Sequence, residues 1–546
     1  MTAATQPDAH ATSTPRTARP TAASRRVELL ALSAPMLLGI LVRIAPVAGA
    51  GFPVGDGGMF FVMVREIQHA GMAIPATTAY NGAGIPFAYP SLGLWLMALL
   101  GNILPVSLPD LFQWWPTFCS ILMLPVFYLL ARRLLGSWFA AVVALGAFAM
   151  LPRSFEWFIV GGGVTRTPGY LFALLAMYAM LLALDTGGRR FVAGAALAAG
   201  LAIMTHPNAA LVTVLSLLVL ATLRRPSRRS IAVLAVALAG AALASAPWWL
   251  GDLLRFGSAP LLSAVGSGSQ AGPLAGVYWL LTFGFAEEPF MPWITGLALL
   301  GLAWSLARHR FFLPAWLVLI VLLDPTAAPT DSTIPLALLA AVGMLEVVAP
   351  RLAGVAGAAA DLAGPEFLRS RPVRLTLVAL LGLTFLGAIF RPIQAGSPDQ
   401  VLAPDVRASM AWVAAYTPAQ ATFAVVTGRF WFSDQVSEWF PALTDRASVA
   451  TVQGYEWLGS TRWWRQQGAN ADLQACSVAA DACLAAWMQK YGVTPTYVYL
   501  PKGMISGQLS TDDCCTGLRQ TLRESSSFEI VYDGPGATIG RPRPPA

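Results

Sequence analysis

Residues 231–250 read IAVLAVALAGAALASAPWWL, with no Asp, Glu, Lys or Arg among them. Wound as a helix, a run of that length reaches about 30 Å, the thickness of the hydrocarbon core of a bilayer. Residues 375–390 and 191–204 are uncharged in the same way. Across all 546 residues, 56% are hydrophobic and 12% charged, and the mean hydropathy is +0.61. A water-soluble domain of that size and composition is excluded, and a multi-pass membrane protein is implied.

The formal charge of +7 does not indicate a nucleic-acid partner, because the arginines form short clusters between apolar runs and not one basic face. The clusters are Arg25/Arg26, Arg132/Arg133, Arg189/Arg190, Arg224/Arg225 with Arg228/Arg229, Arg308/Arg310 and Arg369/Arg371/Arg374. If all of them face the cytoplasm, an even number of spans separates each from the next. Eleven apolar runs satisfy that parity: 27–49, 111–131, 137–152, 168–184, 191–205, 208–223, 230–250, 290–307, 311–323, 333–348 and 374–391. The N-terminus is then inside and the C-terminus outside, in an inner or plasma membrane. Residues 1–26, rich in Thr, Ala, Ser and Pro, read as a disordered cytoplasmic tail and not as a signal peptide. The run from Tyr89 to Leu104 is apolar but would break the parity, so it is expected to lie at the membrane surface within a long external loop, 51–110.

The remaining external segments are 153–167, 251–289 and 324–332, with a turn at His206, Pro207 and Asn208. Residues 27–391 thus make an all-α transmembrane domain. Beyond Arg391 the apolar runs shorten to strand length (Phe423 to Val426, Tyr497 to Leu500, Phe528 to Tyr532) and alternate with helical stretches such as Leu473 to Gln489. Residues 392–546 therefore read as an extracytoplasmic α/β domain. Four of the five cysteines fall there, Cys476, Cys483, Cys514 and Cys515, and their spacing suits disulfides better than zinc. The simplest pairings join one of the first two to one of the last two, or the first two to each other. Cys119, within a span, reads as a small buried apolar residue.

Candidate chemistry gathers at the outer ends of the spans. Asp56, in Gly55-Asp56-Gly57-Gly58, precedes an amphipathic helix from Met59 to Ala70; it can be that helix's N-cap, a catalytic carboxylate, or both. Glu66 and His69 read as its solvated face. In the second loop, Gly161-Gly162-Gly163 followed by Thr165 and Arg166 is either a phosphate cradle or a tight reversal. Arg153 is a phosphate ligand or an interfacial anchor. A carboxylate among aromatics at a membrane surface is costly unless paired or ligating, which singles out Glu156. His206 is a proton carrier or a cap. Glu287 and Glu288 offer a metal ligand or a solvated turn, and Arg43 inside the first span needs a partner, for which Asp56 or a bound phosphate is a candidate.

These residues resemble the GT-C superfamily of membrane glycosyltransferases, which includes oligosaccharyltransferase catalytic subunits, protein O-mannosyltransferases and aminoarabinose transferases. The resemblance runs from Gly55 to about His206 and rests on four features. These are Asp56 with Phe60 and Arg65-Glu66; Phe87-Ala88-Tyr89-Pro90-Ser91-Leu92; Leu130-Ala131-Arg132-Arg133; and the loop 153–167. It implies that Asp56 is catalytic and that Glu156 is the nearest match to the family's second acidic motif. It also implies that Arg166, His206, Arg43 and Arg153 meet a donor phosphate, and that Glu287 and Glu288 hold a divalent metal (Mg or Mn) or orient the arginines. The activity it implies is an inverting transfer of sugar from a polyprenyl-phosphate donor, a membrane lipid, to an envelope glycan, lipid or protein. Two departures stand out. The second loop has no Asp-x-Asp, and the outer domain has Ser437-Glu438-Trp439-Phe440-Pro441 and Trp463-Trp464 in place of a Trp-Trp-Asp sequon reader. The sequence therefore reads as a less characterised bacterial branch. A non-catalytic scaffold for envelope assembly keeps the same fold, whereas a lipid or glycan transporter predicts internal repeats and mid-bilayer polar residues that the sequence lacks.

Overall fold

A computed structural model describes residues 22–268, 273–283, 286–288, 291–354, 368–390, 401–502, 505–506 and 514–543. The first 21 residues of the expected tail, and residues 391–400 between the two expected domains, lie outside that set. Of the described residues, 73% are helical. Its first part comprises α1 (Ala22–Ala48), α2 (Gly58–His69), α3 (Leu92–Ile103), α4 (Leu108–Leu135), α5 (Trp138–Met150), α6 (Gly163–Thr186), α7 (Arg189–Thr205), α8 (Pro207–Val219) and α9 (Arg228–Phe256). It continues through α10 (Ala259–Gly268), α11 (Pro273–Thr282), α12 (Trp293–Ala307), α13 (Phe312–Leu323), α14 (Ala328–Asp331), α15 (Thr333–Val342), α16 (Ala349–Leu352) and α17 (Arg371–Phe390).

Every one of the eleven expected runs falls on a helix. Among the described residues, seven helices are long and apolar enough to cross a membrane, and an eighth is added if α5 and the turn after it, bent by 93°, count together. The other runs are short: α5, α7, α12 and α13 have 13, 17, 15 and 12 residues, below the roughly 20 of a straight crossing. Helix α3 has 12 residues, about 18 Å and as short as α13, so length alone does not separate it from the expected spans. It packs against α2, α6 and α7.

Several arginine clusters share one end of the bundle. Arg132, at the end of α4, pairs with Glu28 at the start of α1. Asp185, at the end of α6, takes Arg133 at 3.5 Å and Arg225 at 3.1 Å. Arg224 caps the last turn of α4 through the carbonyls of Leu134 and Arg133, at 3.3 and 2.9 Å. Exposed pairs of this kind add little stability. Their value here is geometric, because they bring together ends that the charge parity requires to be on one side.

The second part, from β3 (Val401–Leu402) onward, is built around a five-stranded mixed sheet. After the small pair β1 (Thr77–Thr78) and β2 (Ile85–Pro86) in the first loop, its strands are β4 (Thr422–Val425), β5 (Ala447–Ser448), β6 (Tyr497–Pro501), β8 (Phe528–Asp533) and β9 (Ala537–Pro542); β7 (Ile505–Ser506) pairs with β3 apart from them. The order is β5-β4-β6-β9-β8, with β5, β4 and β6 parallel and β9 antiparallel to both its neighbours. All five residues of β6 are buried, as a central strand covered on both faces requires. Around the sheet lie α18 (Pro404–Tyr416), α19 (Gln435–Thr444), α20 (Ser460–Ala475), α21 (Asp481–Tyr491) and α22 (Thr516–Glu524). The three expected strand runs are strands.

The expected helix Leu473 to Gln489 is two helices, α20 and α21, separated by a 3-10 turn at Cys476–Val478. The reason is covalent: Cys476 and Cys483 are bonded with their Cα atoms 5.6 Å apart, whereas seven residues of continuous helix would separate them by about 10 Å. Cys514 is paired with its neighbour Cys515, so neither bond joins the first two cysteines to the last two. Peptide mapping of unreduced protein should recover Cys476 linked to Cys483; a peptide joining either of them to Cys514 or Cys515 would contradict this arrangement.

Candidate functional site

The site begins where two glycine-rich turns press together. Gly57 has φ +130°, a backbone conformation that L side chains rarely adopt, and it turns the chain from Asp56 into α2. The amide of Gly162 donates to Asp56 Oδ1 at 3.0 Å and to the Asp56 carbonyl at 3.1 Å. A Cβ on Gly162 would lie 2.6 Å from that same Oδ1, so only glycine lets the carboxylate approach. Gly161 donates to Val54 O at 2.7 Å and Gly163 to Val160 O at 2.8 Å. The triplet's amides are therefore committed to protein acceptors and do not form the phosphate cradle considered from the sequence.

Asp56 does not cap its own helix. It sits at the N-terminus of α6, whose N-cap is Gly162, while the N-terminus of α2 is closed by a residue from the sheet unit. Glu438, on α19, accepts the Gly57 amide through Oε1 at 2.9 Å. Each carboxylate thus lies at a helix end where unpaired amides and the helix dipole favour negative charge. Around Glu438, Trp439 donates to the Gly55 carbonyl at 3.0 Å and Tyr80 to the Glu438 carbonyl at 2.8 Å. A Cβ on Gly58 would meet Glu438 O at 2.4 Å. Burial outweighs the helix end: it raises the Glu438 carboxyl to about 8, with the charge of Asp56 adding to the shift and the amides of Gly57, Gly58 and Met59 opposing it.

Arg166 lies beside Asp56, Nη2 to Oδ2 3.7 Å, and donates to the Trp157 carbonyl at 2.6 Å. Its guanidinium stands 5.2 Å from the Trp157 ring centre, and that of Arg153 stands 4.9 Å from it. Arg153 is bound by both oxygens of Glu287, at 2.6 and 2.7 Å. His206, 8% exposed, faces Tyr89 and Tyr170 with ring centres 6.4 and 6.3 Å away. Burial, then the charge of Arg166, holds its pKa well below the ordinary value, so the ring is neutral. Its Nδ1 has no hydrogen-bond partner among the described residues. Tyr89 closes this wall, with its hydroxyl 3.1 Å from Thr165 Oγ1 and its ring 5.9 Å from Trp457.

The other expected residues are placed differently. Arg43 is fully buried, and all five of its N–H bonds are used. Nε donates to Ser120 Oγ (3.0 Å), Nη1 to the carbonyls of Gly39 (2.9 Å) and Ala149 (3.2 Å), and Nη2 to Ser154 O (3.1 Å) and Oγ (3.2 Å). It ties α1 to α4 and to the turn after α5, and meets neither Asp56 nor a phosphate. Glu288 caps α12, accepting the amides of Ile294 and Thr295 at 2.8 and 2.6 Å. With Glu287 held by Arg153, neither glutamate is left as a metal ligand, and among the described residues no group of three or more His, Cys, Asp or Glu is placed to hold a metal. Glu156 is buried, 1% exposed, in the turn Glu156–Phe158. Glu66 accepts the Ala79 amide at 2.6 Å, and His69 is exposed.

Sequence reasoning missed Tyr89's place in the site, Glu438, and Glu456, whose charge reaches both Tyr80 and Tyr89. The signal for Glu438 was present: a carboxylate among aromatics in Ser437-Glu438-Trp439-Phe440-Pro441, the same pattern that singled out Glu156.

Residues 89–250 match the family described as dolichyl-phosphate-mannose-protein mannosyltransferase. The structure superposes on the archaeal oligosaccharyltransferase AglB of Archaeoglobus fulgidus, in complex with an inhibitory peptide and a dolichol-phosphate. The TM-score is 0.57 at 16% identity, over 88% of this chain and 70% of that one. It also superposes on ArnT of Cupriavidus metallidurans bound to undecaprenyl phosphate, with a TM-score of 0.52 at 14% identity, over 95% and 98%. The chain has the GT-C fold. Within that fold, the mycobacterial arabinofuranosyltransferase AftD gives 0.55 at 17% identity, over 95% of this chain and 40% of that one. A further AglB structure holds Zn and sulfate. No curated protein matches this sequence.

Within this fold, Glu438 makes the contact between sheet unit and first loop sensitive to pH. Its folded-state pKa is raised from 4.5 to about 8, so its contribution is complete below the lower value and is lost as pH rises through the upper one. The unfolding midpoint should fall as the pH rises from about 4.5 to about 8 and level off above that, by roughly 2–4 °C per kcal/mol lost. Glu438→Gln, which cannot ionise, should flatten that fall. An unchanged pH dependence in the variant would contradict the assignment.

Proposed function

We propose that this protein transfers a sugar from a polyprenyl-phosphate donor to a hydroxyl of an envelope glycan, lipid or protein on the outer side of the membrane, with inversion at the anomeric carbon. The observation that carries this reading is the pairing of Asp56 with Arg166 at 3.7 Å, an acceptor of protons beside a fixed cation at the start of α6. The lipid phosphates bound by AglB and ArnT support it from the side of the donor.

Asp56 acts as general base. It removes the acceptor's proton as the acceptor oxygen attacks the anomeric carbon, and the bond from that carbon to the phosphate oxygen breaks with its electron pair leaving on the phosphate. One displacement gives inversion. Arg166 offsets the charge that develops on the leaving phosphate, and neutral His206 can donate a hydrogen bond to it but no positive charge. Arg153 works at one remove, by fixing Glu287 and the face of Trp157. Zn in the related AglB leaves room for a divalent ion in the chemistry. Glu287 and Glu288 do not fit it, and no step here is routed through one.

Removing a general base costs about 10²–10⁴-fold in rate while leaving binding largely intact. Asp56→Asn should therefore retain a polyprenyl-phosphate in a lipid-binding assay and lose transfer by that factor; transfer by the variant at the wild-type rate would show that Asp56 is not the base, and no transfer by the wild type would leave the protein as a non-catalytic scaffold.

The same reading sets the orientation, with the site and the sheet unit outside and the arginine clusters inside. A reporter cysteine replacing Ser107, which is exposed at the start of α4, should react with an impermeant reagent added to intact cells. Reaction only after the membrane is opened would reverse the orientation.

A further inference from the structure

Beside the seam between the first loop and the sheet unit lies a half-open cavity of about 380 Å³ that none of the chemistry above uses. Its volume falls within the roughly 300–1,000 Å³ of small-ligand sites. Residues 81–83 of the first loop and the edge strand β5 form one wall. Helix α20 supplies the second: Arg462 and Arg465 are three residues apart and share a face. Tyr455, Trp487 and Tyr491 supply the third.

The charge in this cavity has one sign. No residue lining it is acidic, and both arginines are exposed. Neither is in an ion pair among the described residues, although Arg465 is steadied by the Tyr491 carbonyl at 3.1 Å. The nearby Asp472 is taken up by Lys490 at 2.5 Å and by the Tyr491 hydroxyl at 2.7 Å. Two guanidiniums that share a face suit a planar carboxylate, which they can grip with paired N–H donors. Tyr455 and Tyr491, both half-buried, line the cavity over the buried Trp487, and aromatic rings suit the C–H face of a sugar ring.

We infer that this cavity is a second saccharide-binding site, which holds an acidic sugar unit of the acceptor away from the reacting centre. The inference rests on the proposed transfer only in calling the ligand an acceptor. Binding is measurable without donor or turnover, so failure here leaves the reading of Asp56 untouched.

The test uses the purified full-length chain in detergent, with tetragalacturonate as the acidic probe, maltotetraose as its neutral counterpart and inorganic phosphate as the bare anion. Tetragalacturonate should bind, with maltotetraose at least about tenfold weaker. Arg462→Gln and Arg465→Gln should each weaken the acidic probe by about 10–100-fold, and Arg462→Glu by more, at unchanged unfolding midpoints. Equal binding of both oligosaccharides, or variants that bind as wild type, would overturn the site. Phosphate binding as tightly as tetragalacturonate and displacing it would make this an anion site and overturn the saccharide assignment. Variants with lowered midpoints are replaced by phenylglyoxal modification of wild-type arginines, which must be slowed by tetragalacturonate; no slowing refutes the proposal.

Discussion

Two carboxylates each close a helix that is not their own: Asp56 at the start of α6, and Glu438 at the start of α2. A helix begins with amides that have no partner inside it, and these favour negative charge held against them. In this chain those amides do more than end helices. They fix the first loop to the second through Gly162 and to the sheet unit through Gly57, so the position of Asp56 is determined from both sides. The glycines between them are part of the same constraint, since a Cβ on Gly162 would enter the space of the carboxylate.

From that junction the electrostatics follow. Asp56 keeps a cation, Arg166, at 3.7 Å and is partly open to solvent, while Glu438 is buried and carries a carboxyl pushed up to about 8. Burial and the neighbouring charge outweigh three favourable amides. Glu438 is thus an acid suited to keep its proton. Arg166 has an opposite effect on His206, whose charged form it disfavours together with burial. The result is one cation and one neutral imidazole on the wall where a lipid phosphate is proposed to lie.

Arg43 shows how a charge in a membrane helix can be structural. Its five donors meet five oxygens of α1, α4, α5 and the turn after α5, which satisfies each N–H where water is absent. Arg153 and Glu287 neutralise each other in the same spirit. From sequence alone these arginines could not be told apart from Arg166, because the charge pattern puts all four candidate phosphate ligands on one expected side and only their partners differ.

What the sequence determined by itself was whatever depends on short range: the apolar runs, the arginine clusters that order them, the strand-length segments after residue 400, and Asp56 in its glycine setting. Hydrophobic period and charge are local properties, and they survived folding unchanged. Tertiary structure alone decided which amides Asp56 and Glu438 would close, that the glycine triplet's N–H groups were already used, and that Glu287 and Glu288 serve Arg153 and α12. It also decided that Cys476 bonds to Cys483 and breaks the helix between them. Gly57 and Glu438 are 381 residues apart in the chain. No local pattern encodes which distant acid fills a given helix end, because an unpaired amide donates to any carboxylate that the packing of the two units brings within about 3 Å.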